Sequence, residues 1–241
     1  MDIVNHKIIV VGGSSGMGLV ITRAAQAKGA EVVVVGRSVA QLERVALEMS
    51  EAGRVKTIAA DATREDDVSR LFEQVGSFDH LVVTAASNLA YPTIRELDLD
   101  AARQTIDAKL VAALLLSKYA ARYINKQGSI TFTAGIAAER PLPTGFLVAA
   151  VNGALFSLAY GLALALAPVR VNAISPGWVD TPTWDRIFGS RKATMIEQME
   201  QRLPTGHIGR PADIAHGVLF LMENEFTTGT VLQIDGGHRL V

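Results

Sequence analysis

The sequence predicts an α/β protein built on a parallel sheet with helices on both faces. Three observations carry this. Short β-branched runs recur along the whole chain, and segments of helical period lie between them. The runs are also apolar at successive positions rather than alternating, as strands buried on both faces must be. Hydrophobic residues make up 49% of the 241 and charged residues 20%, which suits a globular chain with a sizeable core.

The strand candidates are Lys7–Val11, Glu31–Val35, Val55–Ala59, His80–Thr84, Ser129–Thr133, Arg170–Ile174 and Thr230–Ile234. Between the second and third, Val39–Ala52 sets Leu42, Val45, Ala46 and Met49 on one helical face. No internal repeat, low-complexity tract or Gly/Ser linker interrupts the series, so residues 1–241 are expected to form one domain.

Residues 146–167, FLVAAVNGALFSLAYGLALALA, carry no charged side chain. Such a run is long enough to span a bilayer. It nevertheless lies between two strand candidates, where a membrane span would cut the sheet in two. A buried helix and no membrane association are expected instead. Ala149, Gly153, Ser157 and Gly161 are small enough to let another helix approach, within the fold or across a subunit interface.

The net charge is −1 with both signs mixed throughout, so no basic face is available for nucleic acid. The absence of cysteine removes disulfides, thiolate nucleophiles and thiolate metal sites, and fits a cytoplasmic protein. The N-terminal stretch lacks the pattern of a secretory signal. None of the five histidines has ligand spacing with carboxylates, so no metal site is expected.

The strongest local signal follows the first strand: Val11-Gly12-Gly13-Ser14-Ser15-Gly16-Met17-Gly18, running into a helix over Leu19–Lys28. Glycines at 12, 16 and 18 permit a tight turn and close approach of backbone to a pyrophosphate. The helix N-terminus then points free N–H groups and partial positive charge at it. Gly12, Ser14, Ser15, Gly16, Met17 and Gly18 are thus candidate dinucleotide contacts. The second strand ends Val35-Gly36-Arg37-Ser38. A carboxylate there would repel a 2′-phosphate, whereas the Arg37 guanidinium can bind one bidentately and Ser38 can add a hydroxyl. The expected cofactor is NADP(H).

With these residues the chain resembles the short-chain dehydrogenase/reductase family along essentially its whole length. Asp61-Ala62 after the third strand, Ser175-Pro176-Gly177 after the sixth, Val179-Asp180-Thr181, Gly209-Arg210-Pro211, Thr228-Gly229 and Asp235-Gly236-Gly237 all fit the family pattern. The resemblance implies a Rossmann-type, doubly wound seven-stranded parallel sheet flanked by helices. It implies a substrate lid at about 182–208, with Trp178 and Trp184 in the covering segment, and a homodimer or homotetramer. It adds Asp61 and Ala62 (adenine), Ala85, Pro176 and Gly177, and Val179 and Thr181 (nicotinamide) to the cofactor contacts.

The family's chemistry resides in an Asn, a Ser and a Tyr-x-x-x-Lys pair, and here the chain departs from it. Ungapped register puts Ala134 at the serine, Leu147 at the tyrosine and Val151 at the lysine, while Lys109 falls at the asparagine. Tyr160 offers no rescue, because its i+4 residue is Leu164. Thr133, beside Ala134, is expected to face the other way by strand alternation. Lys109 is the one candidate catalytic residue: a desolvated lysine has a lowered pKa and can act as an acid or bind ribose hydroxyls. Solvent exposure of its amine, or pairing with Asp107, is the plainer expectation to set beside it. Two readings follow. One is an NADP(H)-dependent oxidoreductase with a non-standard proton source, acting on a small molecule already activated. The other is a non-catalytic NADP(H)-binding sensor or partner subunit of an active relative.

Overall fold

The computed structural model describes residues 2–50, 53–84 and 89–241. Seven strands form one sheet: β1 (Lys7–Val11), β2 (Glu31–Gly36), β3 (Val55–Ala59), β4 (Phe78–Val83), β5 (Ile124–Thr133), β6 (Arg170–Pro176) and β7 (Val231–Ile234). Their order is β3-β2-β1-β4-β5-β6-β7, and every pairing is parallel. The strand order reverses direction between β1 and β4. That switch opens a crevice at the carboxyl ends of the strands, where ligands bind in open sheets of this kind.

The reason the strands read as continuous apolar runs is visible in β1. Ile9 and Val11 face one core with α3 (Glu65–Val75), α5 (Ala112–Ala120) and α6 (Phe146–Ala165), through Phe72, Leu116 and Leu155. Ile8 and Val10 face a second core with α1 (Gly16–Ala27), α2 (Val39–Glu48) and α9 (Pro211–Glu223), through Ile21, Val45 and Val218. Each face buries its own set, so neither position of the pleat has a polar requirement.

The apolar helix α6 is the one element whose expected burial holds on one side only. Val148, Val151, Asn152, Leu155 and Ala159 are buried, but only a third of its most apolar stretch is covered by this chain. Tyr160 is half exposed and Leu164 is 84% exposed, with Ser157 and Gly161 exposed beside them. Added methyl groups at Gly153 or Gly161 would touch nothing within 4 Å. Among the described residues, then, no helix uses the close approach that Gly153 and Gly161 allow.

The segment expected to cover substrate folds into α7 (Pro182–Phe188) and α8 (Lys192–Glu200). It has a small core of its own, formed by Trp178, Met199, Leu203 and Ile208 with Trp184 and Phe188 packed on it. Its base is anchored by a parallel bridge between Val179 and Gly209.

Candidate cofactor cleft and inner site

A cleft of about 610 Å³ runs across the carboxyl ends of β1, β2, β4, β5 and β6. Its outer end is the glycine loop. Gly12 has φ +84°, a left-handed conformation that favours glycine. A Cβ on Gly18 would collide with the Gly12 carbonyl oxygen, so the helix can start this close to the strand only because residue 18 has no side chain. Ser15 precedes α1 in extended conformation, and its hydroxyl makes no capping bond to the helix. The first amides of α1 and this hydroxyl therefore border the cleft without capping one another, as a pyrophosphate site needs.

Arg37 and Ser38 line the same end, Arg37 exposed and Ser38 capping α2 by accepting from the Gln41 amide at 3.4 Å. Asp61 lies nearby. Burial alone would raise its carboxyl, but the Thr63 amide (3.0 Å) and hydroxyl (2.8 Å) donate to it, and the Arg37 and Arg64 guanidiniums add their charge. Together these hold the carboxyl below its ordinary value.

All the cofactor contacts expected from the sequence border this one cleft, except Ala85, which lies outside the described residues. The loop cradle that a single Cβ would fill, together with the two hydroxyls and the guanidinium, fits a phosphorylated dinucleotide. Sequence reading missed Gln41, Thr84, Tyr91 and Asn152, which also border the cleft. Gln41 could have been found from the cap position of Ser38. Nothing local marked the others.

The inner end is built around Lys109. The helix running from α4 (Leu99–Ile106) into α5 is broken by one π-helical turn over Asp107–Val111, and Lys109 sits in that turn. Such turns widen the helix locally and re-aim a side chain. Lys109 is 5% exposed, and its amine donates to the Thr133 carbonyl (3.2 Å), the Ala134 carbonyl (3.0 Å) and Asn152 Oδ1 (2.5 Å). It neither reaches solvent nor pairs with Asp107, whose side chain is exposed. Burial, with only neutral oxygens as partners, pulls its pKa down to about 7.

Helix α6 corrects the register expected for it. Ungapped register turns Leu147 and Val151 toward the cleft; in the structure Val148 and Asn152 line it instead. Both pairs are i, i+4, and a one-residue slip rotates the helix by about 100°. The error has a physical origin. Register across the loop before α6 depends on loop length, and a helix apolar all round carries no phase to reveal its inward face. Val148 and Asn152 are thus the i, i+4 pair that α6 turns into the cleft.

Ala134 borders the cleft as expected; Thr133, at the last position of β5, was expected to face away but borders it too. The Thr133 hydroxyl is buried and finds no hydrogen-bond partner among the described residues. Trp184 also borders the cleft. Its indole donates to the Val179 carbonyl at 2.8 Å, and its ring stacks on Trp178 and Phe188 at centroid distances of 4.5 and 5.4 Å. Among the described residues the inner wall is otherwise apolar, with Leu89, Ile136 and Val148 beside Tyr91. Among the described residues, no group of three or more His, Asp or Glu side chains comes together to hold a metal.

Comparison with known proteins agrees with this architecture. The enoyl-(acyl carrier protein) reductase family profile matches residues 11–239. The short-chain dehydrogenase/reductase ucsE of Acremonium sp. is 35% identical over 95% of this chain and 94% of its own. The cis-4-hydroxycyclohexanecarboxylate dehydrogenase of Sinomonas cyclohexanicum is 30% identical over 97% of this chain and 96% of its own. Among solved structures, a small-chain dehydrogenase in complex with NADPH superposes with a TM-score of 0.85 at 31% identity, covering 98% of this chain and all of the other. The MalC reductase/Diels-Alderase of Malbranchea aurantiaca superposes with a TM-score of 0.92 at 27% identity, over all of this chain and 99% of the other. A glycine loop at a switch point, a seven-stranded parallel sheet and a profile matched nearly end to end agree on one assignment: the chain belongs to the short-chain dehydrogenase/reductase family.

Proposed function

We propose that the chain is an NADP(H)-dependent oxidoreductase in which Lys109 takes over the proton chemistry that the family assigns to a tyrosine. One observation carries this reading: among the described residues, the only charged side chain at the inner end of the cleft is a buried amine with a pKa of about 7. Support for the cofactor comes from the Arg37 and Ser38 end and from the NADPH complex of a structural neighbour.

The backbone at Gly12, Gly16, Met17 and Gly18, with Ser14 and Ser15, would hold the pyrophosphate, and Arg37 and Ser38 the 2′-phosphate. Asp61 and Ala62 would hold the adenine, and Pro176, Gly177, Val179 and Thr181 the nicotinamide. NADPH, when bound, supplies a hydride. Lys109 has a role only if it can release and regain a proton near neutral pH, and its burial provides that. Val148 offers no proton and dries the wall beside the amine. Trp184 and its stacked neighbours close the site against water. With no hydroxyl acid in the family's place, the suitable substrate is one already activated, such as an imine, an iminium or a conjugated acceptor.

A calorimetric titration with NADPH and, separately, NADH tests the cofactor half. Tight NADPH binding with NADH weaker by about tenfold or more is expected, and equal binding of the two would sink the Arg37 argument. A turnover screen against cyclic imines and enones tests the rest. Val148 favours one alternative, a non-catalytic NADP(H)-binding sensor or partner subunit; NADPH binding with no turnover across that panel is its signature.

The same reading places the protein in the cytoplasm as a homo-oligomer. The exposed stripe Ser157, Tyr160, Gly161 and Leu164 on α6 is where a second copy packs. Leu164→Glu, at a residue almost free of contacts in this chain, is expected to halve the mass seen by light scattering without unfolding the subunit. An unchanged mass would move the interface elsewhere.

A further inference from the structure

The mechanism above uses Lys109 but gives no role to the residue that holds it. Asn152 is buried (2% exposed) on the cleft face of α6, one turn beyond Val148. Its carboxamide is used at both ends: Oδ1 accepts from Lys109 Nζ at 2.5 Å, and Nδ2 donates to the Gly135 carbonyl at 3.3 Å. The second bond fixes the amide's orientation, so the oxygen and not the nitrogen meets the amine. Gly135 directly follows Ala134, whose carbonyl is another Lys109 acceptor. One side chain from α6 therefore ties the π turn carrying Lys109 to the end of β5.

The amine has three protons when charged, and the structure gives them three acceptors, all neutral: two backbone carbonyls and this amide. The carbonyls belong to the main chain, which leaves Asn152 as the only partner supplied by a side chain among the described residues. No carboxylate is among the amine's described partners. The charged groups closest in sequence, Asp107 on the same turn and Glu139 and Arg140 after β5, are exposed.

We propose that Asn152 is a positioning residue for Lys109, its carboxamide holding the amine over the end of β5 and stabilising its protonated form. This deepens the reading of Lys109 as proton source, but its first test does not depend on turnover. In protein labelled with ¹³C and ¹⁵N at lysine, the Lys109 signal is assigned by its loss in Lys109→Met and followed against pH. Two substitutions act in opposite directions. Asn152→Leu removes an acceptor from the ammonium and is expected to lower the midpoint by about one pH unit. Asn152→Asp supplies a carboxylate and is expected to raise it by at least as much. If both variants leave the midpoint in place, or move it the same way, Asn152 is packing only and the proposal is wrong.

The kinetic arm follows once a substrate is in hand. The pH profile of kcat should move down with Asn152→Leu and up with Asn152→Asp, with NADPH affinity changed less than threefold, roughly. Midpoints that move as expected beside an immobile kinetic profile would uphold the positioning role and overturn Lys109 as proton source. If Asn152→Asp fails to fold, Asn152→Leu and the exchange Lys109→Asn/Asn152→Lys carry the test. The exchange rebuilds the contact from opposite helices, so its shift in thermal midpoint should be more favourable than the sum of the two single-variant shifts. Additive shifts would deny the contact.

Discussion

The two ends of the cleft are built on opposite principles. At the outer end, backbone does the work: positive-φ glycine, the first amides of α1, and a Cβ-free approach at Gly18, with polar side chains near solvent. At the inner end, side chains do it: one buried amine, one amide and apolar walls. The outer end follows a family pattern that any cofactor-binding member must keep. The inner end presents a lysine whose burial pulls it into the neutral range. On the proposed function, cofactor binding and proton transfer fall at different ends of the cleft, so each can be damaged without the other.

The largest expected effect comes from Lys109→Met. If the amine is the proton source, turnover on an imine or enone substrate should fall by about 10²–10⁴-fold. Calorimetric NADPH affinity should stay within about threefold, and a parallel collapse of binding would merge the two ends after all. Stability gives the same variant a second readout. Lys109 titrates at about 7 when folded and 10.5 when unfolded. Between those values the unfolded chain binds more protons, so stability rises with pH. Below about 7 both states are protonated and the whole burial cost remains, roughly 5 kcal/mol. Lys109→Met should thus stabilise the protein most in acid, with the advantage shrinking from pH 7 upward in thermal melts. A constant difference across that window would mean the amine is not desolvated.

Arg37→Asp probes the outer end alone. It replaces a phosphate-binding fork with a charge that repels phosphate and suits ribose hydroxyls. The NADPH/NADH affinity ratio should fall by about 10–100-fold, read by the same titration. It also removes one of the cations that hold the Asp61 carboxyl down. Turnover at saturating cofactor should hardly change, and a large loss there would show that the ends communicate.

How far the sequence could be read divides along the same line. The outer end was legible because its signal is local: glycines and a helix start within eight residues, and a strand end at Arg37. The sheet was legible too, and the observed strands β1 and β3 coincide with the runs Lys7–Val11 and Val55–Ala59. β5 begins earlier than its apolar run, at Ile124, because Asn125, Lys126 and Gln127 extend it beyond the core with exposed polar side chains. Lys109 was legible by position. Asn152 was not, since its meaning lies in a contact with a residue 43 positions away and in the phase of a helix that is apolar on every side. A one-residue slip was enough to put an aliphatic side chain where the structure has an amide.

That slip can be tested by the smallest effect considered, a gain of function. Val148 is 4% exposed and lines the cleft one helical turn before Asn152, whereas Leu147 is turned away from it. Val148→Tyr would place a phenol on the cleft face, against a wall that already contains a buried amine. The amine, with a pKa of about 7, is neutral where a phenol titrates, so burial should push the introduced hydroxyl above the ordinary tyrosine value. A second proton donor beside Lys109 should raise kcat by a few-fold, roughly 3–10, because positioned acid catalysis without an evolved partner recovers little of its full worth. Leu147→Tyr is the control and should leave kcat and the tyrosine absorbance titration unperturbed. If the gain, or the shifted phenol, came instead from position 147, the helix face assigned to the cleft would be wrong, and Asn152 would lose its place beside the amine.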